Sequence, residues 1–150
     1  MEIERKFKVR RLPENLDRYP VSHIRQAYLC REPVVRVRQQ NENFWLTCKG
    51  KGLFTREEFE LPMDEKAFQH LLSKADGNIV TKNRYYIPFS GKTIELDVFS
   101  GDLAPLVLAE VEFDSEDEGL AFVPPDWFGE DVTRDPAYSN SNLSVKGVKE

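Results

Sequence analysis

The 150-residue chain has few of the residues that build the commoner kinds of site. Cysteine occurs twice, as Cys30 and Cys48, with no CxxC spacing and no clustered histidine partner. That argues against a disulfide framework or a structural zinc, leaves both thiols as small packing residues, and points to a reducing compartment. His23 and His70 are the two histidines; they fall in different elements without metal-ligand spacing and read as structural or surface residues. There is no Gly-rich phosphate loop of the P-loop type, so any phosphate binding must rest on side chains. No stretch approaches the ~20 apolar residues a membrane helix needs, and the N-terminus has no signal-peptide core; the expected location is the cytoplasm. Nor is there a basic excess. With 21 Lys and Arg against 26 Asp and Glu, the net charge is -5, so no global field favours long nucleic acid or anionic membranes. An anion site, if present, has to be local.

Charge itself is abundant, at 31% of residues against about 25% in typical domains. Residues 1–150 fit one domain, large enough to bury roughly 70% of the surface of its unfolded chain, and no linker or low-complexity segment divides them. The extra charge is patterned, beginning with Glu2 to Val9. Read as a β-strand, this stretch puts Glu2, Glu4, Lys6 and Lys8 on one face and Ile3, Arg5, Phe7 and Val9 on the other.

The device recurs along the chain. Strands are expected at Val21–Leu29, Val34–Gln40, Phe44–Lys49, Arg56–Leu61, Ile79–Ile87, Thr93–Phe99 and Leu106–Phe113, with turns at Pro33, Asn41–Asn43, Gly50–Gly52 and Pro88–Gly91. A helix capped by Asp64 carries Phe68, Leu71, Leu72 and Ala75 at helical spacing and is stopped by Gly77. Asp114–Glu118 reads as the start of a second helix, docked through Leu120 to Phe122. Pro124–Phe128 is a turn with aromatic anchors, and Thr133–Val148 a short final helix or strand with a loose tail.

Six of these segments present ionisable residues two apart with apolar residues between: Glu2/Glu4, Arg36/Arg38, Glu58/Glu60, Lys82/Arg84, Glu95/Asp97 and Glu110/Glu112. Lys6/Lys8 adds a seventh pair, and Lys49 falls on the polar side of its strand. A solvated sheet face would mix signs within each strand; here signs are sorted by strand. The expected fold is therefore α+β, an antiparallel β-barrel of about eight strands with its charged faces inward and a few helices packed on the outer apolar face. A basic wall facing an acidic one suits a polyphosphate bridged to a divalent metal.

The ordered set Glu2-Ile-Glu4-Arg-Lys6, Arg36/Arg38, Lys49, Glu58/Glu60, Lys82/Arg84, Glu95/Asp97 and Glu110/Glu112 resembles the CYTH superfamily, the triphosphate tunnel metalloenzymes, over almost the whole chain. Trp127–Leu143 resembles the C-terminal region of the short bacterial branch. The resemblance implies a closed tunnel, a bound triphosphate and metal-dependent chemistry. It implies metal-binding carboxylates at Glu2, Glu4, Asp97, Glu110 and Glu112, and phosphate-binding residues at Lys6, Lys8, Arg36, Arg38, Lys49, Lys82 and Arg84. Glu58 and Glu60 match a position that ligates metal or orients basic residues, Glu95 is a further ligand or an ion-pair partner, and Lys146 matches a C-terminal basic residue.

The family spans several reactions, so fold does not choose among them. The expectation is hydrolysis of inorganic tripolyphosphate with Mg²⁺ or Mn²⁺, with Glu4, Glu112 and Lys8 in catalytic roles, because the short chain leaves little material for a nucleoside pocket. The alternatives are a class IV adenylate cyclase, a thiamine triphosphatase or a non-catalytic binding module. The expected partner is a small triphosphate, and the expected state a monomer or homodimer.

Overall fold

A computed structural model describes residues 1–146, the side chains of residues 141, 145 and 146 excepted. The chain opens with strand β1 (Glu2–Val9), then β2 (Val21–Arg31), β3 (Val34–Gln40), β4 (Asn43–Lys49), the two-residue β5 (Thr55–Arg56) and β6 (Glu58–Met63). Helix α1 (Glu65–Leu72) leads into the long β7 (Asp76–Phe89), β8 (Lys92–Ser100) and β9 (Val107–Glu112). Helix α2 (Glu116–Ala121), strand β10 (Phe128–Asp131) and helix α3 (Asn140–Lys146) complete the described fold.

All strand pairings are antiparallel, in the order β10-β1-β9-β8-β7-β2-β3-β4-β6. Local sequence fixes the hairpins. Asn41, at φ 54°, turns β3 into β4, while Ser90 and Gly91, both at positive φ, turn β7 into β8 as the twist of paired strands favours. The expectation of a closed barrel of about eight strands needs correction. Among the described residues there are ten strands, and the sheet is open: the edge strand β6 has no ladder to β1, and the seam is bridged by β5 alone, through Glu2↔Arg56 and Ile3↔Thr55. Ion pairs finish what the ladder leaves undone. Lys49 on β4 reaches Glu2 on β1 at 3.0 Å and Glu58 on β6 at 3.3 Å, so the sheet curls until its ends meet through side chains.

The period-two pattern divides the two faces. On the outer face, Phe7, Ile87, Ile94, Leu96, Ala109, Val111, Phe113 and Phe128 form one apolar cluster, with Phe122 among the rings packed on it. Further round the same outer face α1 covers β3 and β4. Asp64 caps it, accepting from the Ala67 amide at 2.8 Å, and its fully buried Phe68 stacks against Phe44 at 5.0 Å between ring centroids. The helix ends at Leu72, short of Gly77, which lies in β7 at φ 88°. Ser115 caps α2, accepting from the Glu118 amide, and Phe122 docks behind it; Leu120, expected to share that role, is exposed. Among the described residues no helix is long and apolar enough to cross a membrane.

A third apolar cluster lies inside the curl. Val80, Phe99 and Leu108 share a sheet face with the charged residues of β7, β8 and β9, and they pack with Val132, Tyr138 and Leu143 from the C-terminal segment. That segment therefore plugs one end of the interior. No signal in composition pointed to it.

Candidate active site

The remaining interior is a cavity of about 300 Å³, and register explains which side chains reach it. Glu4 stands directly opposite Glu112, Lys6 opposite Glu110, and Glu110 opposite Glu95, so β1, β9 and β8 build a carboxylate-rich wall. Arg36 and Arg38 on β3 and Arg84 on β7 face it, with Lys49 and Glu58 opposite one another beside the seam. Like charges directly across a sheet are ordinarily destabilising. Here they are kept, which marks a place where a counter-charge is meant to sit.

The electrostatics differ sharply from one carboxylate to the next. Burial, with Glu110 and Glu2 close by, pushes the Glu4 carboxyl up to about 8. Burial and the charges of Glu95, Glu2 and Glu58 push Glu112 up to about 7. Glu2 and Glu110 go the other way. Burial raises each, but for Glu2 the neighbouring Lys49, the Glu58 hydrogen bond and Arg56 outweigh it, while for Glu110 Lys6, Arg84 and Lys82 do so and hold it well below the usual range. On the basic wall, burial beside Arg36 and Arg84 brings Arg38 down to about 9.

Arg36 and Arg38 are buried, and among the described residues neither has a carboxylate within ion-pairing distance. Arg38 donates to the Gln26 side-chain oxygen at 3.0 Å, and the buried Arg36 Nε has no partner. Across the cavity, Glu2, Glu4 and Glu112 each offer one carboxylate oxygen, and these atoms lie within 4.8 Å of one another. Three hard oxygen donors converging in this way fit a divalent cation.

Of the expected site residues, Glu2, Glu4, Lys6, Arg36, Arg38, Lys49, Glu58, Glu60, Arg84, Glu110 and Glu112 line this cavity together, with Glu95 beside them. Three do not. Lys8 was expected on the cavity wall, but its ammonium pairs with Glu130 at 3.2 Å and lies over the Tyr138 ring, because the C-terminal plug separates it from the cavity. Asp97 and Lys82, expected as metal ligand and phosphate contact, are fully buried behind the wall: Asp97 takes Lys82 at 2.7 Å and both Arg84 Nε and a terminal Arg84 nitrogen, so three of its roughly four lone-pair sites are already taken. It fixes Arg84 in place. The side chain of Lys146 lies outside the described residues.

The lining also includes Tyr28, Gln40, Arg56, Tyr86, Ser139 and Asn140, which charge pairing did not single out. Tyr28 was within reach of sequence reasoning, since it faces Arg36 in the β2–β3 register. Ser139 and Asn140 arrive on the plug and had no such signal.

A curled antiparallel sheet enclosing a cavity with an arginine pair on one wall that has no carboxylate partner among the described residues, and a carboxylate trio on the other, defines a class of anion-and-cation-binding β proteins. No protein-family model matches the chain. It is 43% identical over 150 residues to the inorganic triphosphatase of Nitrosomonas europaea, covering 96% of this chain and 97% of that protein. It is 40% identical over 126 residues to the inorganic triphosphatase of Acetivibrio thermocellus, covering 79% and 78% respectively. The crystal structure of the inorganic triphosphatase NE1496 matches with a TM-score of 0.72 at 40% identity, over 97% of this chain and 95% of that one. The chain belongs to the inorganic triphosphatase family.

Proposed function

We propose that this protein hydrolyses inorganic tripolyphosphate to pyrophosphate and orthophosphate with Mg²⁺ or Mn²⁺. The observation that carries the reading is the buried Arg36/Arg38 pair, which has no carboxylate to answer it among the described residues, facing the Glu2/Glu4/Glu112 trio. An uncompensated buried charge is costly, so a site that keeps two side by side is built for an anion brought from outside. The family's named activity supports the same substrate.

In this mechanism Arg36, Arg38, Arg84, Lys6 and Lys49 hold the phosphate chain and offset charge that grows on its oxygens during reaction. Arg84 is held rigid by Asp97, so little reorganisation is required of it. Glu2, Glu4 and Glu112 would hold the divalent cation, which when bound neutralises phosphate charge and lowers the pKa of a coordinated water. Water attacks a terminal phosphorus in line, the bond to the bridging oxygen breaks, and pyrophosphate leaves. The second carboxylate oxygen of Glu112, the one not offered to the cation, is placed at the rim to accept the proton that water gives up. The plug packs across one end of the interior and shortens the space left for the chain. We take residues 1–150 as one catalytic domain of a cytoplasmic enzyme, monomer or homodimer, in keeping with two free cysteines.

Product analysis tests this. Untagged protein is incubated with tripolyphosphate, thiamine triphosphate or ATP, each with Mg²⁺, Mn²⁺ or EDTA. Orthophosphate and pyrophosphate from tripolyphosphate, abolished by EDTA and by Glu112→Gln, are expected. Cyclic AMP from ATP as the main product would overturn the assignment.

A further inference from the structure

The seam where the sheet fails to close is held by an uneven exchange of charges. Glu2 answers two cations at once: its two oxygens accept from Lys49 at 3.0 and 3.1 Å, and one of them also takes Arg56 Nε at 3.3 Å. The same carboxylate is one of the three that converge on the candidate cation position. A divalent ion drawn there competes for the oxygens that Lys49 and Arg56 now occupy, and its own positive charge repels both.

The two cations have different fallbacks. Lys49 keeps a second carboxylate, Glu58, at 3.3 Å. Among the described residues Arg56 has no carboxylate partner but Glu2. Its backbone cannot retreat, because β5 pairs Arg56 directly against Glu2, and residues opposed on an antiparallel ladder share a face. Its side chain already lines the cavity.

Resting on the triphosphatase reading, we propose that Arg56 is a further phosphate-binding residue, masked by Glu2 in the empty site and turned onto the triphosphate when a cation occupies the carboxylate trio. The guanidinium then exchanges one carboxylate for phosphate oxygens, for which its planar fork is well matched. Cation and triphosphate become cooperative ligands through this one side chain, and by reciprocity each raises affinity for the other by the same factor.

The test uses a triphosphate with methylene bridges, which cannot be hydrolysed, and calorimetric titration of wild-type, Arg56→Ala and Arg56→Gln proteins in EDTA and in saturating Mg²⁺. Both variants should bind the analogue as wild type does, within about twofold, in EDTA, and about tenfold or more weakly in Mg²⁺, the scale of a charged hydrogen bond. Mg²⁺ titrated with and without analogue should show the same loss of coupling. Equal weakening in EDTA and Mg²⁺ would make Arg56 a static contact and overturn the masking; no weakening in either would reduce it to a seam brace and do the same. Wild-type protein that binds no analogue in either condition would instead overturn the triphosphatase reading, and this inference with it.

Discussion

Protons and the divalent cation should compete for the same carboxylates, and the structure gives the scale of that competition. Glu4 sits at about 8 and Glu112 at about 7, both raised, so each carries a proton over part of the neutral range and must lose it to ligate a metal. The sign follows directly: cation affinity rises with pH and levels off above the higher value. At pH 6 Glu4 holds its proton against a ratio of about a hundred and Glu112 against about ten, so cation affinity should be about a thousandfold weaker than at pH 9. Glu2 adds nothing to this slope, since its carboxyl is lowered and already ionised. Calorimetric titration of Mn²⁺ into metal-free protein at half-unit steps from pH 6 to 9 measures the curve, and repeating it in buffers of different ionisation enthalpy counts the protons released. Glu112→Gln should remove about one of them and flatten the lower part of the curve. A wild-type affinity that changes less than fivefold across this range would refute the reasoning, since it would mean that the trio is not where the cation binds.

Other predictions address stability and its conflict with function. Arg38→Met removes a buried charge crowded by Arg36 and Arg84; it should raise the stability of the empty protein by about 1 kcal/mol in urea denaturation while weakening tripolyphosphate binding at least about tenfold. Asp97→Asn leaves Lys82 and Arg84 without their shared carboxylate and should cost about 3 kcal/mol, a fall of roughly 6–12 °C in Tm by calorimetry. A loss below about 1 kcal/mol would show that Asp97 is not what anchors Arg84. Phe68→Ala empties the contact between α1 and the sheet and should cost about 3 kcal/mol, with tripolyphosphate turnover retained at temperatures where the variant is folded.

The period of two made most of this site legible before any coordinates. Alternation alone placed Glu2, Glu4, Arg36, Arg38, Glu110 and Glu112 on a common inward face, because a strand offers each residue only two directions. The Asp64 cap and the Phe68 spacing likewise fixed α1 on the outside. Alternation is silent on depth, however. Lys8, Lys82 and Asp97 obey the same parity as their neighbours and still miss the cavity, since the plug and the Asp97 ion pairs take them first. Closure was illegible for a related reason: whether β6 meets β1 by a ladder or by side chains depends on the path of residues 50–57, where there is no repeating pattern to read. The plug is built from Val132, Tyr138 and Leu143, ordinary apolar residues whose partners are fixed only by tertiary packing. Tyr28 and Tyr86 went unmarked because neutral side chains carry no sign to sort.

The position of β1 has a consequence for how the molecule comes into being. Its partners are β5, β9 and β10, so Glu4 waits for Glu112, Phe7 for Asp131, and Lys6 for the Tyr138 carbonyl it donates to. Contacts of such long sequence separation close late and slowly. This strand, made before all of its partners, is thus the last to find its place, and until it does the arginines face an acidic wall that lacks Glu2 and Glu4. Anything that shields those arginines in the meantime, a polyanion included, acts on folding before it acts as a substrate.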